Sequence, residues 1–207
     1  QHDMPHVFSR CGMAQEQSSG YQALNVDLWT RVAKLVDYQL SGPAEALGAL
    51  ARPDGVLEKI GDGGTKRVHP NSKALWCRNL GWAANTITGG THYILRFGPP
   101  VRYHGHNDHG AMTWYADGAP VLSDRGLYDK ARDWRFTYAQ GMSAHSVLEP
   151  VGVVYNPTTT GERTGKDAYL LKDYSAGITR QRAVEVDRRS LTVVDTAWGY
   201  SDSQQWI

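Results

Sequence analysis

Six residues in the middle of the chain, HGHNDH at positions 104–109, hold three histidines and an aspartate, in a sequence of 207 residues with eight histidines in all. Imidazole beside carboxylate suits metal binding or proton transfer, and it also suits a wet surface loop. Zinc takes imidazole nitrogen or carboxylate oxygen, usually in a tetrahedron, with outer hydrogen bonds fixing each histidine's tautomer. His104, His106 and His109 supply some of those donors. On a strand, His104 and His106 point to one face, because side chains alternate with period two. The competing expectation is a polar strand end. Asp124, after the apolar run Ala119-Pro120-Val121-Leu122, and His145, at the start of SVLEPV, are further donors placed at strand ends, from which rigid sheets converge on a metal; each is equally a common turn residue.

Other chemistries find less support. No G-x-S-x-G elbow is present, and Ser143 near His145 is too generic to mark a nucleophile. Carboxylates are scattered, so a glycosidase pair is neither picked out nor excluded. Trp114 and Trp134 are either sugar-stacking platforms or, more commonly for tryptophan, core residues. The segment IGDGGTKRVHP (60–70) is glycine-rich, but its spacing fits no phosphate-binding loop and no strand precedes it.

The elements that must position these residues follow from periodicity. Leu24, Leu28, Val32, Leu35, Val36 and Leu40 recur at helical spacing and predict an amphipathic helix over 21–40, capped by Ser18 or Ser19 and closed by Ser41-Gly42-Pro43. A second helix is expected over 43–51, with Pro43 in its first turn. A third is expected over 71–84, carrying Leu75, Trp76, Leu80 and Trp82. From Thr91 the chain reads as strands: HYILRF, GAMTWYA, APVLSD, HSVLEPVGVVYN, DAYLLKDYS, GITRQRAVEV and LTVVDTAW. Asp117-Gly118 is a hairpin dipeptide. Helices followed by strands, without alternation, point to an α+β fold or two domains, with the change near 85–92.

Composition narrows the function. The formal net charge is +1, and no basic run or nucleic-acid motif is present, which argues against nucleic acid as partner. No apolar run reaches the roughly 18 residues a membrane helix needs. Cys11 and Cys77 exclude a disulfide framework, and a single bridge cannot be judged from sequence. The chain starts at Gln1 and stops at Trp206-Ile207 in what reads as mid-strand, so a piece of a longer protein is expected.

Two ordered motifs carry a resemblance. The run from Arg102 to Tyr128, RYHGHNDHGAMTWYADGAPVLSDRGLY, followed by RFTYAQGMSAHSV (135–147), resembles the heparinase II/III-like polysaccharide lyases, which include oligoalginate lyases. That family shows H-x-H-x-D, a strand hairpin, a D-x-G-x-Y-like turn, then Ala-His-Asn. Upstream, GMAQEQSSGY (12–21) is similar to the family's D-G-x-x-x-E-x-S-x-x-Y segment. The resemblance covers roughly residues 10–207. It implies the end of an (α/α) toroid over 1–88 and an antiparallel β-sandwich over 89–207.

It also implies β-elimination on a uronic-acid glycan. The proton at sugar C5 is weakly acidic until the neighbouring carboxylate is held by polar donors; a base then removes it and an acid protonates the leaving oxygen. By resemblance Tyr21 is the catalytic tyrosine, and a free phenol, with a pKa of about 10, needs cationic or hydrogen-bonding neighbours to act as base. His104 corresponds to the histidine facing the cleft. His106, Asp124 and His145 correspond to ligands of a structural zinc. Tyr128, as a second catalytic tyrosine, and Tyr138, with Glu16 as substrate contact, complete the expected set. The strand must twist or bulge between His104 and His106 if they serve different sites; Asp108 and His109 then support them. The family setting implies a secreted or periplasmic protein.

Three departures matter. Cys11 replaces the family's Asp before Gly12, and Ser146 replaces the Asn after the strand histidine. The family's Asn-His pair has no counterpart here, since His2 and His6 lie too close to Tyr21. The alternatives to a lyase are a non-catalytic carbohydrate-binding or structural domain with a zinc-braced sheet, and a zinc-dependent hydrolase.

Overall fold

The computed structural model describes residues 7–129 and 133–199; the expected chain end at Trp206-Ile207, and His2 and His6, lie outside them. Helices come first. Helix α1 spans Ser19–Leu35, with the Ser18 hydroxyl accepting from the Tyr21 N–H as N-cap. Ser19 ties the helix start inward instead: its hydroxyl donates to Glu58 O at 2.5 Å and accepts from Ile60 N–H at 3.0 Å. The helix stops short of Leu40, and Asp37 just past its end takes a positive φ of 48°. Helix α2 spans Ser41–Ala49.

The face α1 buries is not the one its leucines mark. Ser19, Gln22, Ala23, Val26 and Ala33 are buried, while Leu24, Leu28 and Leu35 are 52%, 52% and 85% exposed. Gln22 explains part of this, because it bonds backbone at Ala14 N and Gly12 O of the preceding loop and at Pro43 O in the first turn of α2, and so faces inward. Cys11 and Cys77 form a disulfide that ties the segment before α1 to the first strand.

Among the described residues nine strands make two antiparallel sheets, so the fold is α+β. The first has the order β1 (Leu75–Cys77), β2 (Trp82–Ile87), β3 (Thr91–Arg96), β4 (Met112–Ala116) and β5 (Ala119–Leu122). The second is β6 (Thr160–Arg163), β7 (Ala168–Ser175), β8 (Ile178–Val186) and β9 (Leu191–Trp198). Asp117 and Gly118 both take positive φ, as the tight β4–β5 hairpin requires.

Strand β3 is buried along its whole length because it is covered on both faces. Ile94, with Trp82 and Ala84, joins Leu47, Leu50, Ala23 and Val26 on the helical side. Tyr93, Leu95 and Phe97 meet Tyr169, Leu171, Val184 and Val186 of the second sheet.

Three expectations are corrected. Residues 71–84 form β1, a turn and β2 rather than a helix: Leu75, Trp76 and Cys77 pair with Ala84, Ala83 and Trp82. HSVLEPVGVVYN forms no strand; His145 follows the one-turn 3₁₀ helix Met142–Ala144, and Val154 is 92% exposed. HGHNDH is a loop between β3 and β4, so strand alternation does not set its side chains and no bulge is needed there. A further helix, α3 (Trp134–Gln140), capped by Asp133, covers the RFTYAQ stretch where none was expected.

Candidate functional site

The site is built where the 99–109 loop passes the start of α1. Gln17, buried and with a positive φ of 56°, accepts from Arg102 N–H at 2.9 Å and donates to Pro99 O and Pro100 O. One helical turn later, Tyr21 lies flat on His104, ring centroids 3.5 Å apart and planes within 9°. The IGDGG loop closes the other side. Asp62 N–H donates to His104 O at 2.8 Å, and Gly61, with φ of 60°, passes so close that a Cβ would stand 2.6 Å from Gln17 O and His104 O. Only glycine fits both conditions. Gly126 packs as tightly on Gly63 O, bringing the 124–128 segment alongside.

Side chains converge as a result. His104 Nδ1 is 3.0 Å from Asp62 Oδ2, and its Nε2 is 3.4 Å from Glu16 Oε2. His106 Nε2 is 3.1 Å from Asp62 Oδ1, so one carboxylate serves both histidines. His145 Nδ1 is 2.7 Å from Asp124 Oδ2, and the His106 and His145 rings are 5.5 Å apart. Burial works against the charged form of His145, but the hydrogen bond and charge of Asp124 outweigh it and raise the pKa. His109 takes no part in these contacts: its carbonyl accepts from Arg180 Nη2 at 3.3 Å, both ring nitrogens are buried without a hydrogen-bond partner, and burial lowers its pKa to about 4.

Among the described residues no group of three or more His, Cys, Asp or Glu is arranged to hold a metal ion. The donor atoms nonetheless have the chemistry for one. His106 Nδ1 and His145 Nε2 are buried without a hydrogen-bond partner, and imidazole nitrogen suits zinc. Asp124 is already engaged, by His145 on Oδ2 and by Gly126 N–H on Oδ1.

Tyr128 and Tyr138 stand at the rim, each beneath an arginine. Arg135 lies 5.1 Å from the Tyr128 ring centroid and Arg125 5.7 Å from that of Tyr138, whose hydroxyl donates to Ser143 O. Trp134 is 73% exposed, whereas Trp114 packs against the inter-sheet core. Ser146 bonds both N–H and O of Met112, bracing the segment that carries His145. Asp62 is the residue sequence reasoning missed. Its only signal was the glycines around it, which mark a close backbone approach.

The chain matches no family model and no curated protein. Its fold matches solved structures. A heparinase III gene product superposes with a TM-score of 0.80 at 12% identity, over 97% of this chain and 40% of that one. The heparan sulfate lyase HepC from Pedobacter heparinus superposes with a TM-score of 0.79 at 17% identity, over 97% and 40%. The chain therefore has a heparinase-like fold and spans about two fifths of the length of these structures. No helix among the described residues is long and apolar enough to cross a membrane.

Proposed function

We propose that the protein is a polysaccharide lyase that cleaves a uronate-containing glycan by β-elimination, with Tyr21 and His104 at the reacting sugar. The observation that carries this is the flat Tyr21–His104 stack with Asp62 and Glu16 at the two ring nitrogens, on a heparinase-like fold. An imidazole held between two carboxylates beside a phenol is equipped to take the C5 proton and return one to the leaving oxygen. Glu16, with Tyr128, Tyr138 and their arginines, supplies the contacts to sugar rings and their anionic groups.

Zinc belongs to this reading as a brace, held by His106, Asp124 and His145. Bound there it would supply the buried imidazole nitrogens with a partner and fix the loop under His104. Helices α1 and α2 are read as the end of an (α/α) toroid, because an outward leucine stripe is what a helix among other helices presents, and the sheets as its β-sandwich. The disulfide accords with secretion or a periplasmic location.

The test is ultraviolet absorbance of an unsaturated uronate product when the full-length protein meets a panel of uronate glycans. Product should form, and Tyr21→Phe should reduce the rate by roughly 10²–10⁴-fold with the fold intact. Absence of product across the panel overturns the lyase reading. Glycan binding without turnover would then favour a carbohydrate-binding domain, for which the exposed Trp134 and the arginine-capped tyrosines are the supporting feature.

A further inference from the structure

Asp62 lies in a loop that fits no catalytic motif, yet its carboxylate is where the two histidines of H-x-H meet. We propose that Asp62 is the positioning residue of this site: it holds the proton of neutral His104 on Nδ1, so that Nε2 presents its lone pair to the cleft beside Tyr21. This rests on the lyase reading of Tyr21 and His104.

Geometry separates the roles of the two oxygens. Oδ2 faces His104 Nδ1 at 3.0 Å and Oδ1 faces His106 Nε2 at 3.1 Å. Rotating the carboxylate would break both contacts together, so each histidine holds it in place for the other. Its backbone is clamped as well, through the Asp62 N–H on His104 O and the crowded, left-handed Gly61 before it.

The opposite ring nitrogen has a weaker claim on the proton. Glu16 Oε2 stands farther off, at 3.4 Å, on a side chain 31% exposed, against 16% for Asp62. Glu16 is also committed elsewhere, accepting from Asn25 Nδ2 at 2.8 Å through Oε1. With the ring plane fixed by the Tyr21 stack, the remaining freedom of His104 is which nitrogen carries hydrogen, and the nearer, more buried acceptor decides it. A substrate hydroxyl or carboxyl can displace the exposed Glu16 from Nε2. It cannot reach Nδ1 without displacing Asp62.

The experiment is ¹⁵N NMR of histidine-labelled full-length protein at neutral pH, paired with steady-state kinetics. Wild-type His104 should show the Nδ1–H tautomer. In Asp62→Asn, whose amide replaces one acceptor by a donor, the resonance should move toward the Nε2–H form. The kcat on the uronate glycan should fall roughly 10- to 100-fold, as for other orienting carboxylates, with KM little changed. Asp62→Glu should restore part of kcat, which a purely structural role would not require.

Wild-type His104 protonated at Nε2 alone overturns the proposal without any variant. So does a folded Asp62→Asn protein with unchanged tautomer and kcat, or one in which only KM rises. A full-length wild type that turns over no uronate glycan sinks the lyase reading, and the NMR arm still decides what Asp62 does to His104.

Discussion

Two buried charged clusters lie on opposite sides of the β3–β4 connection, and they are finished to different degrees. Between the sheets, Asp173 has a partner for every lone pair it can use. Oδ1 accepts from Tyr155 OH at 2.6 Å and Arg180 Nε at 3.0 Å, and Oδ2 from Thr159 OH at 2.8 Å and Arg180 Nη2 at 2.7 Å. On the candidate-site side, Asp108 is wholly buried with neither oxygen hydrogen-bonded, and its cation, Arg96 Nε, is 3.6 Å away. His106 Nδ1, His145 Nε2, both ring nitrogens of His109 and Glu58 Oε1 share this condition. Buried polar groups are nearly always paired, and the exceptions mark strain or chemistry. The closed cluster reads as architecture and the open one, under the proposed function, as a place where function is maintained against stability.

The contrast is sharpest if each cluster is broken in turn. Asp173→Ala leaves Arg180 buried and uncompensated, and denaturant unfolding should show a loss of about 3–5 kcal/mol. A loss no greater than that of a surface change would mean the closed cluster is not architecture.

Next comes pH, through Glu58. Burial raises its pKa to about 7, Arg52 opposing and the Asp124 charge adding to the rise. The folded state thus holds this proton more tightly than the unfolded chain does. The group's contribution is fully present below the unfolded value and is lost as pH climbs through about 7, a change on the order of 3 kcal/mol. Unfolding free energies from pH 4 to 8 should slope accordingly, and Glu58→Gln should flatten that part of the profile.

Metal removal is the third way in. Zinc analysis of the purified full-length protein should find the metal in the wild type and not in His106→Ala or His145→Ala, and a chelator should lower wild-type Tm while barely moving either variant. Equal responses in all three would place the open cluster's purpose elsewhere. The smallest effect belongs to Thr159→Val, which removes one of four bonds to Asp173 and should cost about 0.5–1.5 kcal/mol by the same unfolding measurement.

Much of this was legible where local pattern and tertiary context agree. Strands β3, β4, β5, β7, β8 and β9 coincide with the apolar runs that announce them, and the Asp117-Gly118 turn lies where its conformational preference requires. Residues 71–84 failed because four large apolar residues in so short a span satisfy a helix and a hairpin alike. The turn residue Gly81, not the apolar spacing, carried the discriminating signal.

The 145–156 segment failed for the opposite reason: its valines have strand propensity, yet Val154 faces solvent and Pro150 and Gly152 interrupt any ladder. Helix α1 was found by its leucines although they do not form its buried face, so the element was right and its orientation wrong. In the site, His104 and Tyr21 could be put forward from motif order, and the structure stacks their rings. Asp62 could not, because its partners lie more than 40 residues away and nothing within its own loop says which side chain will stand opposite.

Gly61 sets a limit on how this protein can vary. Two backbones close over its α-carbon, so the smallest side chain would force apart the strands of loop that seat His104. Asp62, His104 and Tyr21 meet through their side chains, so the chemistry proposed for them can be removed by substitutions that ask nothing of Gly61. The shape that the tight glycine sets is thus separable from the proposed chemistry.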